Sequence, residues 1–115
     1  MNKTMLLSAV AGLALALSPV ARAADVYTAS ITVENHRFSA GELRVPAGQQ
    51  VELTIVNKDA TPEEFESKVL KIEKVVAGKA TIVVRFGPLK AGSYKFIGDY
   101  HPDTANGQII AEDKP

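Results

Sequence analysis

From Tyr27 onward, apolar and polar residues alternate. Tyr27, Ala29, Ile31 and Val33 are interleaved with Thr28, Ser30, Thr32 and Glu34, and Val51, Leu53 and Ile55 with Glu52, Thr54 and Val56. Ile82, Val84 and Phe86 share one face of a later stretch, as do Tyr94 and Phe96. A period of two is the mark of a strand half buried against a core. Between these stretches stand Ala40-Gly41, Pro46-Ala47-Gly48, Asn57-Lys58-Asp59, Ala77-Gly78, Gly87-Pro88 and Ala91-Gly92, all favourable to turns. Only Pro62 to Lys71 offers a helix, because Glu63, Glu64 and Glu66 suit a helix N-terminus. A single helical turn sits badly among strands so evenly spaced, and Glu64-Phe65-Glu66-Ser67 is read as extended. Seven or eight short strands on this spacing predict an all-β, Greek-key β-sandwich with no internal repeats.

The beginning of the chain follows another grammar. Met1-Asn2-Lys3 is basic, Met5 to Leu17 is apolar, and Ser18-Pro19-Val20 leads to the small-x-small triplet Ala21-Arg22-Ala23. That order predicts a secretory signal peptide over residues 1–23, cut after Ala23. A spanning helix needs roughly 20 apolar residues, whereas this run carries Gly12 and ends at Pro19. The expectation is therefore a periplasmic protein with no membrane insertion after cleavage and one domain over residues 24–115.

Composition narrows the chemistry. The chain has 13 basic and 13 acidic residues, and losing Lys3 and Arg22 with the leader makes the remainder slightly acidic, with no basic run. Binding to nucleic acid by phosphate neutralisation is not expected. There is no cysteine, and both methionines, Met1 and Met5, fall in the leader. The fold must stand without disulfides, and any metal must be held by imidazole and carboxylate rather than by sulfur.

The candidate chemistry lies in His36, His101 and the cluster Glu63-Glu64-Phe65-Glu66. In a strand, Glu64 and Glu66 project to one face while Phe65 points to the core. Two carboxylates so placed repel unless a cation lies between them. Read on their own, the histidines are surface residues and the glutamates a solvated edge that discourages aggregation. Catalytic alternatives find no support: there is no Gly-x-Ser-x-Gly, no phosphate-binding glycine loop and no Ser-His-Asp grouping.

The C-terminal stretch Tyr94-Lys95-Phe96-Ile97-Gly98-Asp99-Tyr100-His101-Pro102, followed by Gly107 and Ile109, resembles the last ligand loop of cupredoxins, the blue-copper electron-transfer fold. The family's cysteine position holds Gly98, His101 matches its histidine, and its methionine position falls at Ala105 or Asn106. Val56 to Phe65 resembles the loop that supplies the family's first histidine, with glutamates in its place. The blue-copper ligand set is therefore absent. Pro62 to Ser67, Glu73-Lys74-Val75, Pro88 to Tyr94 and Gly98 to His101 resemble more closely the cupredoxin-like proteins of bacterial iron uptake. These are the FtrB-like periplasmic partners of a ferrous-iron permease and the amino-terminal domain of EfeO-type lipoproteins. The resemblance implies a cupredoxin-like sandwich in which the loops after the first strand, before Glu64 and around His101 share one end. It implies iron or Cu(II), or both, held by His36, Glu64, Glu66 and His101, with Asp99, Asp103 and Glu63 as further candidates, Glu63 if the strand register differs by one. It also implies a periplasmic iron-binding protein and an inner-membrane iron permease as partners, with enzymatic action limited to Fe(II) oxidation shared with them. The alternatives are a non-metal β-sandwich adaptor and a Cu(II) carrier unrelated to iron. Tyr100, beside His101, reads as a packing aromatic, with assistance to electron transfer as the alternative. Protein recovered from the periplasm is expected to begin at Ala24, as an intact-mass measurement will reveal; a mass retaining residues 1–23 would overturn the export assignment.

Overall fold

Nine strands form within residues 25–113, the part of the chain that the computed structural model describes. The predicted leader lies outside it. The strands are β1 (Tyr27–Glu34), β2 (Arg37–Phe38), β3 (Glu42–Pro46), β4 (Val51–Asn57), β5 (Glu63–Ser67), β6 (Ile72–Val76), β7 (Thr81–Phe86), β8 (Gly92–Gly98) and β9 (Asn106–Glu112). Among the described residues there is no helix, and the segment around Phe65 is extended, as its parity requires. The count exceeds the expected seven or eight because strands as short as the two-residue β2 carry no alternation to read.

One sheet has the order β2-β1-β4-β7 and the other β3-β9-β8-β5-β6. Both are mixed: β1 runs parallel to β4, and β3 parallel to β9, while the remaining pairings are antiparallel. Alternation sets the core. Ile31, Val33, Leu53, Ile55 and Val84 face inward from the first sheet, and Phe65, Phe96 and Ile109 from the second, each at most 3 % exposed. Burying such a side chain stabilises by about 1.5–3 kcal/mol, and this burial replaces the disulfides that the chain cannot form. Phe38 packs edge-on against both Phe65 and Phe96, with ring centroids 6.1 and 5.1 Å away, in a favourable T-shaped arrangement.

The topology also collects one set of connections. The β1–β2 turn, the β4–β5 loop, the β6–β7 loop and the β8–β9 loop all leave the same end of the sandwich. Asn57, buried at the last position of β4, ties two of these connections, the β4–β5 and β6–β7 loops, together. Its Nδ2 donates to the carbonyls of Thr61, Val76 and Ala77 at 2.8, 3.3 and 3.3 Å, and its Oδ1 accepts from the Asp59 amide at 3.0 Å. The β4–β5 loop packs on the β6–β7 loop so closely that a Cβ at Gly78 would lie 2.0 Å from the Ala60 carbonyl oxygen. Glycine is required there for room. Gly78→Ala is expected to lower stability by roughly 1–3 kcal/mol, as overpacking against unyielding atoms does; Gly41→Ala, where an added Cβ meets nothing within 4 Å, serves as the control in denaturant unfolding.

Candidate metal centre

The β1–β2 connection is a two-residue turn, since Glu34 pairs with Arg37. Its central residues, Asn35 and His36, both have positive φ, 54° and 58°, as a type I′ hairpin turn demands. Asparagine and histidine tolerate that region better than most side chains, at some cost. The cost is offset by a clamp. Asp59 accepts the amides of Asn35 and His36 on its two oxygens, at 2.8 and 3.0 Å, and Thr104 Oγ1 donates to the His36 carbonyl at 2.6 Å. Hydrogen bonding from the His36 amide, the largest cause, holds the Asp59 carboxyl below the usual carboxylate range. Because this value is depressed in the folded state, the stability it brings is present above the ordinary aspartate value and is lost as pH falls through the lowered one.

The clamp delivers the His36 ring onto His101. The two imidazoles stack with centroids 3.6 Å apart and planes within 8°. His101 sits in the β8–β9 turn, where its amide donates to the Gly98 carbonyl at 2.9 Å and its carbonyl accepts the Ala105 amide at 2.8 Å. Its Nδ1 lies 2.6 Å from Oε2 of Glu63. Glu63, the first residue of β5, shares the inward face with Phe65, and its side chain is 2 % exposed. Its Oε1 accepts the amides of Tyr100 and Glu64 at 3.0 and 3.1 Å. The buried carboxylate thereby has two amide donors on Oε1 and a ring nitrogen within hydrogen-bond reach of Oε2, the partners that burial of a polar group requires.

Glu64 and Glu66 go the other way. They lie on the outer face of β5, where Glu73 of β6 stands opposite Glu66 and the Asp99 amide bonds the Glu64 carbonyl at 2.8 Å. One oxygen each from Glu64, Glu66 and Asp99 fall within 4.8 Å of one another. Partial desolvation, then the charges of Glu73, Asp99 and Glu66, push the Glu64 carboxyl up; partial desolvation, then Asp99, does the same to Glu66.

The quartet His36, Glu64, Glu66 and His101 is thus divided. The histidines meet over the inner face with Glu63, and Glu64 and Glu66 meet Asp99 on the outer one. The strand that was to unite them separates them, because adjacent residues of β5 point to opposite sides of the sheet. Glu63 is the glutamate that bonds His101, and the parity of Phe65 is the signal for it. Asp103 is exposed on the His101 turn, and Tyr100 is 46 % exposed rather than packed. A surface cleft of about 810 Å³ opens elsewhere, along β6 and β7.

The profile of the cupredoxin-like domain family matches residues 6–111. The chain belongs to that family. This cupredoxin-like protein is 40 % identical over 89 residues to RP394, an uncharacterized protein of Rickettsia prowazekii, spanning 77 % of this chain and 71 % of that one. Its fold resembles auracyanin A, a "blue" copper protein of Chloroflexus aurantiacus, with a TM-score of 0.66 and 20 % identity over 76 % of this chain and all of the other. It also resembles a purple cupredoxin of Nitrosopumilus maritimus, with a TM-score of 0.57 and 21 % identity over 73 % and 99 % of the two chains. The nine-stranded sandwich is a cupredoxin-like fold, the type associated with copper binding and electron transfer.

A thiolate copper centre does not fit this chain. Such sites need two imidazoles, a cysteine sulfur and a weak axial ligand, and this sequence has no cysteine. The room is also taken. A Cβ at Gly98 would lie 2.6 Å from Cβ of Ala105 and 2.7 Å from Cδ of Glu63. Imidazole and carboxylate are the donors present, and they fit borderline and hard cations. Without a cation the outer carboxylates oppose folding: values raised in the folded state cost stability at neutral pH, and the cost disappears as pH falls through the carboxylate range. Glu66→Gln should therefore raise the melting temperature of the metal-free protein at pH 7, by an amount that shrinks on acidification. A lowered melting temperature in calorimetry would show that the carboxylates are not in conflict.

Proposed function

We propose that this protein is a periplasmic metal-binding cupredoxin-like protein that takes iron or Cu(II) through histidine and carboxylate side chains and assists ferrous iron uptake. The observation that carries the metal reading is the stacking of His36 on His101, from loops far apart in sequence, with His101 in turn bonded to a buried carboxylate. The I′ turn accounts for the positive φ of His36, but a solvated turn gives no reason for three further hydrogen bonds from Asp59 and Thr104 that fix it against the His101 loop. Strain so supported is characteristic of functional positions.

The donors form two groups. His101 offers its second ring nitrogen and His36 either of its own, a pairing suited to Cu(II) and iron; Glu64, Glu66 and Asp99 form an oxygen set suited to the ferric state. The stacked rings do not chelate one ion as they stand, because in-plane lone pairs of near-parallel imidazoles do not converge. His101 is fixed by Glu63, whereas the His36 ring has a weak contact, Nε2 to Thr61 Oγ1 at 3.5 Å, so His36 is the ring that pivots. Bound iron or copper supplies a one-electron couple. In the iron-uptake reading, Fe(II) is the cargo, the electron released on its oxidation passes to a partner protein, and a periplasmic iron-binding protein and an inner-membrane permease receive the ion.

Titration calorimetry of the metal-free protein with Fe(II) and with Cu(II), alongside His101→Ala and Glu66→Gln, tests this. Both variants should weaken binding by tenfold or more, Glu66→Gln with its fold intact and His101→Ala with a lowered melting temperature because Glu63 Oε2 loses its partner. Cu(II) loading should give no intense blue band, there being no thiolate. Growth of the native host on limiting ferrous iron should suffer with the same variants. Undiminished affinity in both would leave the carboxylates a solvated edge and the protein an adaptor; binding of Cu(II) without iron, and no growth defect, would make it a copper carrier.

A further inference from the structure

We infer that Glu63 is a positioning residue: its buried carboxylate holds the proton of His101 on Nδ1 and so keeps Nε2 of that ring as an open donor. This deepens the metal-binding reading above, on which its purpose rests, although the proton's place can be measured with no metal present.

The geometry leaves the carboxylate one role. Oε1 is occupied by two backbone amides, of Tyr100 at 3.0 Å and Glu64 at 3.1 Å, and Oε2 faces His101 Nδ1 at 2.6 Å. An ionised carboxylate only accepts, so Nδ1 must bring the hydrogen. A neutral imidazole has one N–H, which leaves the lone pair on Nε2. Carboxylates that bond the far nitrogen of a histidine orient metal-binding imidazoles in this way and raise their basicity. In this protein the carboxylate comes from the strand next to the histidine's own turn. It is also locked in place: Gly98 has no Cβ because Cδ and Oε1 of Glu63 fill that space, at 2.7 and 2.8 Å from where a Cβ would sit. Glu63, which together with Ala105 excludes a side chain at 98, is therefore also the residue that sets the tautomer of His101.

Replacing one oxygen exposes the dependence. In Glu63→Gln the shape is kept, but a single carbonyl oxygen serves the two backbone amides and the NH2 turns towards His101. Nδ1 must then accept, the ring proton moves to Nε2, and the donor lone pair is lost without a change in volume.

Long-range proton–nitrogen NMR on the metal-free mature chain reads this directly. The sequence has two histidines, and His36→Ala assigns the signals. The expected result is an Nδ1–H tautomer for His101 in the wild type and Nε2–H in Glu63→Gln, with Cu(II) affinity in the variant about 10- to 100-fold lower, the range seen when such outer partners are removed. Gly98→Ala, which crowds the carboxylate, should also weaken Cu(II) binding several-fold, whereas Gly41→Ala should not. A wild-type His101 protonated on Nε2 overturns the inference by itself, whether or not the glutamine variant folds. So does a folded Glu63→Gln that keeps both the Nδ1–H tautomer and full affinity. A tautomer that switches as expected in a protein that binds neither Cu(II) nor iron upholds the role of Glu63 on His101 and overturns the metal-binding function instead.

Discussion

The arrangement at the loop end of the sandwich depends on one buried charge. Glu63 enters the core face of β5 beside Phe65. A carboxylate in that position is tolerated only if donors surround it. The β8–β9 turn provides them: it is wound so that the Tyr100 amide and the His101 ring both reach back to β5. Gly98 and Ala105 must stay small where the turn leaves and rejoins the sheet, and both are buried. The stack of His36 on His101 then follows from the position of the lower ring. Removing the carboxylate would release the turn, the ring and the space at Gly98 together, so these features form one unit rather than a series of local contacts.

Much of this frame was legible in the residues. Period-two alternation located the principal strands, and the parity of Phe65 placed Glu64 and Glu66 on the outer face, where they stand. The same parity puts Glu63 on the inner face, but a charged residue there conflicts with the rule that charges stay in water. Its partner is 38 positions away, and nothing local announces it. The clamp on His36 was hidden for a related reason. Asn57-Lys58-Asp59 reads as a turn, and a turn it is, but Asp59 bonds amides 23 and 24 positions earlier. Alternation reports which face a side chain takes; it carries no information about which distant donor will meet it.

Two neighbouring glutamates now stand in opposite electrostatic conditions. Glu63 is almost without solvent and has a donor for each oxygen; Glu64 is partly solvated and faces other carboxylates. The first arrangement is complete as it stands, and the second is not. A cation arriving at this end of the molecule gains little by competing for Glu63, whose lone pairs are in use, and much by relieving the repulsion among Glu64, Glu66 and Asp99. This assigns the carboxylates different tasks from their surroundings alone: one holds an imidazole, the others attract charge.

The same contrast explains how a cupredoxin-like sandwich can persist without the family's sulfur ligands. In a thiolate site the metal itself ties the closing loop to the neighbouring strand. In this chain the Glu63–His101 pair already makes that connection, with the Asp99 amide bonded to the Glu64 carbonyl beside it. The loop is therefore closed before any ion arrives. A loop closed in advance spares the binding free energy of ordering that part of the chain, and an ion that is not needed to hold the loop can leave without unfolding it. Release of an ion and retention of structure are then compatible, as the proposed hand-over of metal to a partner requires.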